Sequence, residues 1–370
     1  MPGAASRLLN RTFVRRPYVV SERARALHAS LLVADLHADP LIWGRDLLAR
    51  SSSGHVDVPR LIEGNVALQV LAVGTHVPLL PNLVLNPGVG DAMTFVTMAG
   101  RWPRRTWTSR LERAVFLVAR ANAMATASGG RFTLIRTVGD LERYLAARRS
   151  PPAVTAALLA IEGAQALDGD VANVDVLARA GYRMVGLTHF VDNAFAGSAH
   201  GLRKIGLTRR GHELVRRLEA RSVLVDVAHA SRRTIDDVVA VASRPVIASH
   251  TGVVGTCPSI RNLADDQLRG IAATGGLVGV GFWPTATCGR DPAAIARAIA
   301  HAVSVVGSEH VALGSDFDGA VPVPFDASGM ALLTEALLAI GLSDAVIERV
   351  MGGNVIELLS RTLPSDEEDG

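Results

Sequence analysis

The stretch "LLVADLHAD", residues 31–39, ends a mostly apolar run in a histidine and an aspartate. A short apolar run bounded by turn residues is typical of a buried strand. Side chains two residues apart on a strand point to the same face, so His37 and Asp39 should point the same way. A buried strand that ends in two ionisable groups indicates a functional site at that end.

Seven further runs of the same kind follow along the chain: 65–74, 155–164, 184–190, 222–230, 245–251, 276–282 and 310–319. Most are apolar on both faces, as expected for parallel strands covered by helices. Helical patterns lie between several of them, at 211–220, 231–243, 263–275 and 291–307, and Ser231 is placed to cap the second. Eight strands alternating with helices predict an α/β fold, a (β/α)₈ barrel of the TIM type.

The rest of the chain is divided around this barrel. We expect a basic helical arm over residues 1–30, a single barrel domain over 31–362 and an acidic disordered tail over 363–370. The arm is interpreted as a solvated helix, with contact to an acidic surface as the alternative. The long stretch between the second and third strands, about 75–154, is interpreted as an insertion that walls or covers the site, with a helix over 108–125.

Composition excludes some functions. The chain has 370 residues, 49% of them apolar, and a formal net charge of +3. No basic stripe with interleaved aromatic residues is present, so we expect no nucleic-acid partner. The longest uncharged run, 270–289, is rich in glycine and threonine and contains Pro284, which argues against a membrane span. The first residues lack the apolar segment of a signal peptide, and a cytoplasmic location is predicted.

Ionisable residues recur where the predicted strands end. Besides His37 and Asp39 they are Glu162, His189, His229, His250, and Asp316 with Asp318. In such barrels the catalytic groups gather at the carboxyl ends of the strands. Taken singly, each has an ordinary structural explanation, such as a satisfied histidine, a helix cap or a turn. Their joint placement at one end favours a metal site.

The chemistry of the set suits a divalent metal such as zinc, because neutral imidazoles and carboxylates are its ligands. Five residues are the predicted ligands: His37, Asp39, Glu162, His229 and His250. They are enough for two metal ions that share a carboxylate and activate a water molecule for hydrolysis.

An ordered set of motifs carries a family resemblance. The motifs are "DLHADPL", "IEGAQAL", "LTHFVDNAFAGS", "DVAHAS", "PVIASHTG", "RNLADDQL" and "ALGSDFDG". With them the chain resembles the membrane dipeptidase (renal dipeptidase) family of zinc peptidases, peptidase family M19, and especially its bacterial members, over about residues 30–360. The resemblance implies an amidohydrolase-like (β/α)₈ barrel and a zinc-dependent dipeptidase.

The resemblance also implies roles for individual residues. His37 and Asp39 would bind one zinc ion, His229 and His250 a second, and Glu162 would bridge the two. A hydroxide bound between the ions would attack the peptide bond of a dipeptide, including dipeptides with a C-terminal D-residue.

Three further residues would act on the substrate. Asp316 would hold the bridging water or the substrate amine and pass on the proton. His189 would polarise the scissile carbonyl or steady the oxyanion, and Arg261 would pair with the dipeptide's C-terminal carboxylate. Family members carry a disulfide at the positions of Cys257 and Cys288, and two reduced thiols are the alternative.

Departures from the family leave other questions open. Here "IEGAQ" and "LTHFVDNAFAGSAHG" differ from the animal members where a substrate side chain would lie. The chain ends in acidic residues, so we expect no lipid anchor. The family tends to form homodimers. A deacylase, lactonase or deaminase on the same barrel is one alternative function, and a non-catalytic metal-binding or ligand-binding protein is another.

Overall fold

The computed structural model of the protein describes residues 2–151 and 153–367. The last three residues of the predicted acidic tail, 368–370, lie outside this range. Among the described residues, no helix combines the length and apolar character needed to cross a membrane.

A closed parallel barrel forms the centre of the described chain. Its strands, with one short addition, are β1 Val33–Ala38, β2 Val66–Gly74, β3 Phe132–Leu134, β4 Thr155–Glu162, β5 Tyr182–Gly186, β6 Leu224–Asp226, β7 Val246–Thr251, β8 Leu277–Val280 and β9 Val311–Leu313. The ring closes because β1 pairs with both β2 and β9, and β2 pairs with β4. The additional strand, β3, pairs in parallel with the start of β4. The predicted (β/α)₈ barrel is confirmed.

Helices surround the barrel. They are α1 Pro2–Leu9, α2 Glu22–Ser30, α3 Val58–Glu63, α4 Ala92–Ala99, α5 Arg110–Ala127, α6 Val138–Arg148, α7 Asn173–Ala180, α8 Arg209–Ala220, α9 Arg232–Val241, α10 Asp265–Ala273, α11 Pro284–Thr287, α12 Pro292–Val306, α13 Ala331–Ala339, α14 Asp344–Glu348 and α15 Asn354–Thr362. The helix patterns predicted after β5 correspond to α8, α9, α10 and α12. Ser231 caps α9 as expected, since its side chain accepts a hydrogen bond from the backbone N–H of Thr234.

Three strands end well before their predicted ends. The runs 184–190, 222–230 and 310–319 end as strands at Gly186, Asp226 and Leu313. The chain bends after these points, and two of the predicted site residues, His229 and Asp316, adopt left-handed backbone with φ of 61° each. This conformation is outside the strand region, so these two side chains are presented by loops.

Both faces of the barrel strands are buried. In β4, the adjacent residues Leu158 and Leu159 point to opposite faces. They belong to two different clusters of buried apolar side chains. This two-sided burial is expected for parallel strands covered by helices. Polar side chains on these strands are therefore tolerated only where they find partners, as Gln69 of β2 does in Asp35 of β1.

The insertion between β2 and β4 contains α4, α5, β3 and α6, and α5 covers most of the helix predicted over 108–125. Arg113 of α5 fastens this segment to the barrel, because its buried guanidinium donates to the carbonyl oxygens of Thr75, Thr106 and Trp107. The same group forms an ion pair with Asp91. The short strand β3 was not predicted, because three residues carry too little pattern.

Cys257 and Cys288 are joined by a disulfide, with their Cα atoms 5.2 Å apart. The structure thus has the pairing implied by the resemblance and not the reduced thiols. Disulfides persist mainly in oxidising compartments, so this bond and the cytoplasmic location predicted from the sequence point in different directions.

We predict that Arg113→Met lowers the free energy of unfolding by about 3 kcal/mol, because Asp91 and several buried carbonyl groups lose their partner. Urea denaturation followed by circular dichroism measures the change. Arg120→Met on the same helix is the control, since Arg120 makes a single bond to the Leu41 carbonyl. Equal midpoints for the two variants would contradict the anchoring role of Arg113.

Candidate metal centre

Glu162, the last residue of β4, lies at the centre of the predicted ligands. Its Oε1 atom is 3.6 Å from His37 Nε2, 3.1 Å from His229 Nε2 and 3.5 Å from His250 Nε2. Asp39 completes the set, with Oδ2 3.2 Å from His37 Nε2. The structure therefore brings all five predicted ligands into one buried cluster.

The two remaining predicted residues with metal-binding atoms, His189 and Asp316, lie in the same cluster. His189 Nε2 is 3.4 Å from Glu162 Oε2, and with Glu162 and His229 it offers three ligand atoms within 4.8 Å of one another. Asp316 does the same with His37 and His250. Both side chains therefore belong to the same groups of possible ligand atoms as the predicted ligands.

The cluster buries more negative charge than it can hold unaided. Burial, and then the charge of Asp39, raises the pKa of Glu162 well above its usual range. Burial likewise raises the pKa of Asp316 to about 8. Burial alone would lower the pKa of His37, but the charges of Asp39 and Glu162 outweigh it and raise the pKa to about 10. A divalent cation in the cluster would favour the ionised carboxylates.

The donor set fits a metal ion, as the surroundings of His250 show. Ser249 Oγ donates its proton to Asp226 Oδ2. The Ser249 oxygen can therefore accept a hydrogen bond from the Nδ1–H of His250, 2.9 Å away. A neutral imidazole protonated at Nδ1 presents a lone pair at Nε2, which here faces Glu162 Oε1. Asp39 Oδ1 is buried and lacks a partner among the described residues. A cation between these atoms would satisfy them all.

The loop after β9 positions Asp316. A Cβ atom on Gly319 would overlap Asp316 Oδ1, so only glycine leaves room for the carboxylate. Asp318, which the sequence also placed at the rim, is instead fully buried and accepts from the backbone N–H groups of His55 and Val56. The first acid of "SDFDG" therefore belongs to the site and the second holds the loop.

Arg261 lies beside the cluster, ten residues after the end of β7. Its Nη2 donates to the carbonyl oxygen of His250 at 2.5 Å, while its buried Nε has no partner among the described residues. Burial lowers the pKa of Arg261 to about 10. One donor of the guanidinium therefore lacks an acceptor among the described residues.

Sequence reasoning missed the residues that support the ligands. Ser249 contacts His250, and Asp226 in turn holds Ser249. Asp35 accepts hydrogen bonds from the backbone and side chain of Ser315, at 2.7 Å and 2.6 Å. His200, fully buried, lies 3.0 Å from His229. Asp35 was recognisable, since it is two residues from His37 on the same strand face. No such signal marked His200, which lies in a loop.

A parallel barrel that gathers buried imidazoles and carboxylates at the carboxyl ends of its strands defines a metal-dependent hydrolase. Within that class, the chain belongs to the membrane dipeptidase family, peptidase family M19, whose sequence model matches residues 21–366. The protein is therefore an enzyme of the metallo-dipeptidase type.

The chain is also similar to individual proteins. The chain is 32% identical over 248 residues to an uncharacterized protein in the pqqA 5′ region of Klebsiella pneumoniae, covering 63% of this chain and 89% of the relative. It is 27% identical over 317 residues to the dipeptidase tcpJ of Claviceps purpurea, covering 83% and 69%.

Among solved structures, a metallopeptidase of Rhodobacter sphaeroides, crystallised with a phosphinate mimic of the dipeptide L-Ala-D-Ala, shares the fold. The TM-score is 0.74 at 24% identity, and the match covers 90% of this chain and 99% of that one.

We predict that Glu162→Gln lowers the affinity for divalent metal by more than the roughly 10–100-fold that loss of an outer partner causes, because the central carboxylate is removed. Elemental analysis after dialysis against a weak chelator measures retained metal. Glu213→Gln, an exposed acid of α8, is the control. Full metal retention in Glu162→Gln would show that the cluster does not bind the metal.

Proposed function

We propose that the protein is a zinc-dependent dipeptidase with two zinc ions per chain. His37 and Asp39 would hold one ion, His229 and His250 the other, and Glu162 would bridge them. The observation that carries this proposal is the placement of one carboxylate oxygen, Glu162 Oε1, within 3.1–3.6 Å of an imidazole from both pairs.

When bound, the ions supply an activated water molecule and polarise the scissile carbonyl. The chain's own groups do the rest of the work. Asp316 is positioned to hold the attacking water and to pass its proton to the leaving amine. The left-handed backbone at this residue and the absence of a side chain at Gly319 leave room for its carboxylate in the cluster.

The substrate is proposed to be a dipeptide. The unpartnered donor of Arg261 suits the C-terminal carboxylate, which a guanidinium binds with charge-assisted hydrogen bonds. His189 would meet the substrate carbonyl, and its ring is held by the contact of Nδ1 with the His76 carbonyl oxygen at 3.3 Å. The solved relative with a mimic of L-Ala-D-Ala supports acceptance of a C-terminal D-residue.

We expect elemental analysis to find about two zinc ions per chain and the protein to cleave L-Ala-D-Ala or L-Ala-L-Ala. Chelation should abolish cleavage and added zinc should restore it. N-acetylated dipeptides are the comparison, because a dipeptidase that recognises the free amine should leave them intact.

The outcomes separate the competing functions. Bound zinc without dipeptide cleavage would exclude the dipeptidase and favour a deacylase, lactonase or deaminase. No bound metal, even after reconstitution, would exclude the metal centre itself.

We also predict that Asp316→Asn lowers kcat for dipeptide hydrolysis by at least about 100-fold, because the amide cannot carry the proton. Zinc content should be unchanged, which separates catalysis from metal binding. Gly319→Ala should also lose activity, because the added methyl group displaces the Asp316 carboxylate. Gly270→Ala is the matched control, since its new Cβ would meet only Val239, at 3.3 Å. Wild-type activity in Asp316→Asn would remove this residue from the mechanism.

A further inference from the structure

His200 joins a predicted metal ligand to the insertion. Its Nε2 atom is 3.0 Å from His229 Nδ1, and its Nδ1 atom is 2.6 Å from the carbonyl oxygen of Leu83. The side chain is fully buried, so water does not compete for either nitrogen. Neither the mechanism above nor the motifs of the sequence use this residue.

The direction of these hydrogen bonds follows from the carbonyl group. A carbonyl oxygen only accepts, so His200 Nδ1 carries the proton that it donates to Leu83. In a neutral imidazole the other nitrogen, Nε2, is then an acceptor. His229 must therefore donate to it from Nδ1, and its own lone pair is left on Nε2, the atom that faces Glu162 Oε1 at 3.1 Å.

The turn that supplies the carbonyl group is itself fixed to His200. The backbone N–H of Asn86 donates to the carbonyl oxygen of His200 at 2.7 Å, and the Asn86 side chain donates to it at 3.3 Å. On its other side, the neighbouring N–H of Ala199 donates to the carbonyl oxygen of His229 at 2.8 Å. His200 and its neighbour Ala199 therefore connect the turn over residues 82–86 to the predicted ligand His229.

The turn is held mainly by polar contacts. Leu83, Val84 and Leu85 are 53%, 62% and 47% exposed, so apolar packing contributes little to its position. Hydrogen bonds between Asn82 and Asn86 shape the turn internally, and the bonds to His200 tie it to the buried part of the protein. A segment with few buried contacts opens readily, so these bonds to His200 matter for its order.

We propose that His200 is a positioning residue that fixes the tautomer of His229 and couples the order of the 82–86 turn to metal binding. The proposal rests on the metal centre described under the proposed function. Such an outer-shell partner orients the ligand and raises its basicity, and its loss typically weakens metal binding by about 10–100-fold. The coupling is reciprocal, so bound metal should also order the turn.

The test compares zinc affinities of metal-free proteins by competition with a chromophoric chelator. His200→Leu, which removes both polar contacts, should bind zinc about 10–100-fold more weakly. His200→Gln should restore most of the affinity, because its side-chain oxygen can accept from His229 Nδ1. The visible spectrum of the cobalt-substituted proteins should change in His200→Leu and stay close to wild type in His200→Gln.

His28→Leu is the matched control for lost stability. His28 is also buried and also makes two contacts, with Thr334 Oγ1 at 2.9 Å and the Gly64 carbonyl oxygen at 3.0 Å, but it touches no predicted ligand. Its loss should lower the melting temperature without changing zinc affinity.

Amide hydrogen exchange of residues 82–86 in the wild-type protein tests the coupling without any substitution. Added zinc should slow exchange in this turn, and His200→Leu should abolish that effect.

Three results would overturn the proposal: equal zinc affinity in His200→Leu and wild type, equal loss in His28→Leu, or exchange in the wild-type turn that zinc does not alter. Failure of the wild-type protein to bind zinc at all would instead refute the proposed metal centre, and the coupling with it.

Discussion

A carboxylate cannot stay ionised in a buried pocket without a counter-charge, and Glu162 is the residue at which this constraint acts. It is 9% exposed and lies among imidazoles and two further acids, Asp39 and Asp316. Desolvation raises the pKa of Glu162, and its acidic neighbours add to the effect. A cation bound in the pocket would stabilise the ionised carboxylates. The surrounding fold holds these carboxylates together although they repel one another.

The barrel makes this possible because it gives the polar groups two kinds of support. Strands carry His37, His250 and Glu162, where backbone pairing fixes their direction. Loops with left-handed backbone carry His229 and Asp316, at a local conformational cost that the packed surroundings must offset. Beneath them, buried acids orient the ligands through serines, as Asp226 does for His250 through Ser249. The site thus includes buried residues that do not themselves belong to the predicted ligand set.

Two segments outside the barrel strands, the insertion and the segment between β7 and β8, contact this base at a few points. The insertion is anchored at one end by Arg113 and touches the metal centre at the other through His200. Arg261 lies in the segment between β7 and β8, and the Cys257–Cys288 disulfide joins this segment to the residue that follows α11. Substrate-binding groups on such loops depend on these few fixed points for their geometry.

The sequence alone determined the barrel and the predicted ligand set. The patterns that carried these predictions are local: apolar runs, helix caps such as Ser231, and acids or histidines at strand ends. The apolar runs follow from the burial of both faces of the parallel strands. Sequence pattern also located Glu162 but could not show that one of its oxygens faces three histidines, since those histidines lie up to 125 positions from Glu162 in the chain. The strand ends at His229 and Asp316 were misjudged because an apolar pattern does not report backbone handedness. Asp318 was taken for a rim residue, and only the tertiary structure turned it inward to the His55 backbone. His200 escaped notice for the same reason: hydrogen bonds between residues distant in the chain are set by three-dimensional packing, which no short stretch of sequence encodes.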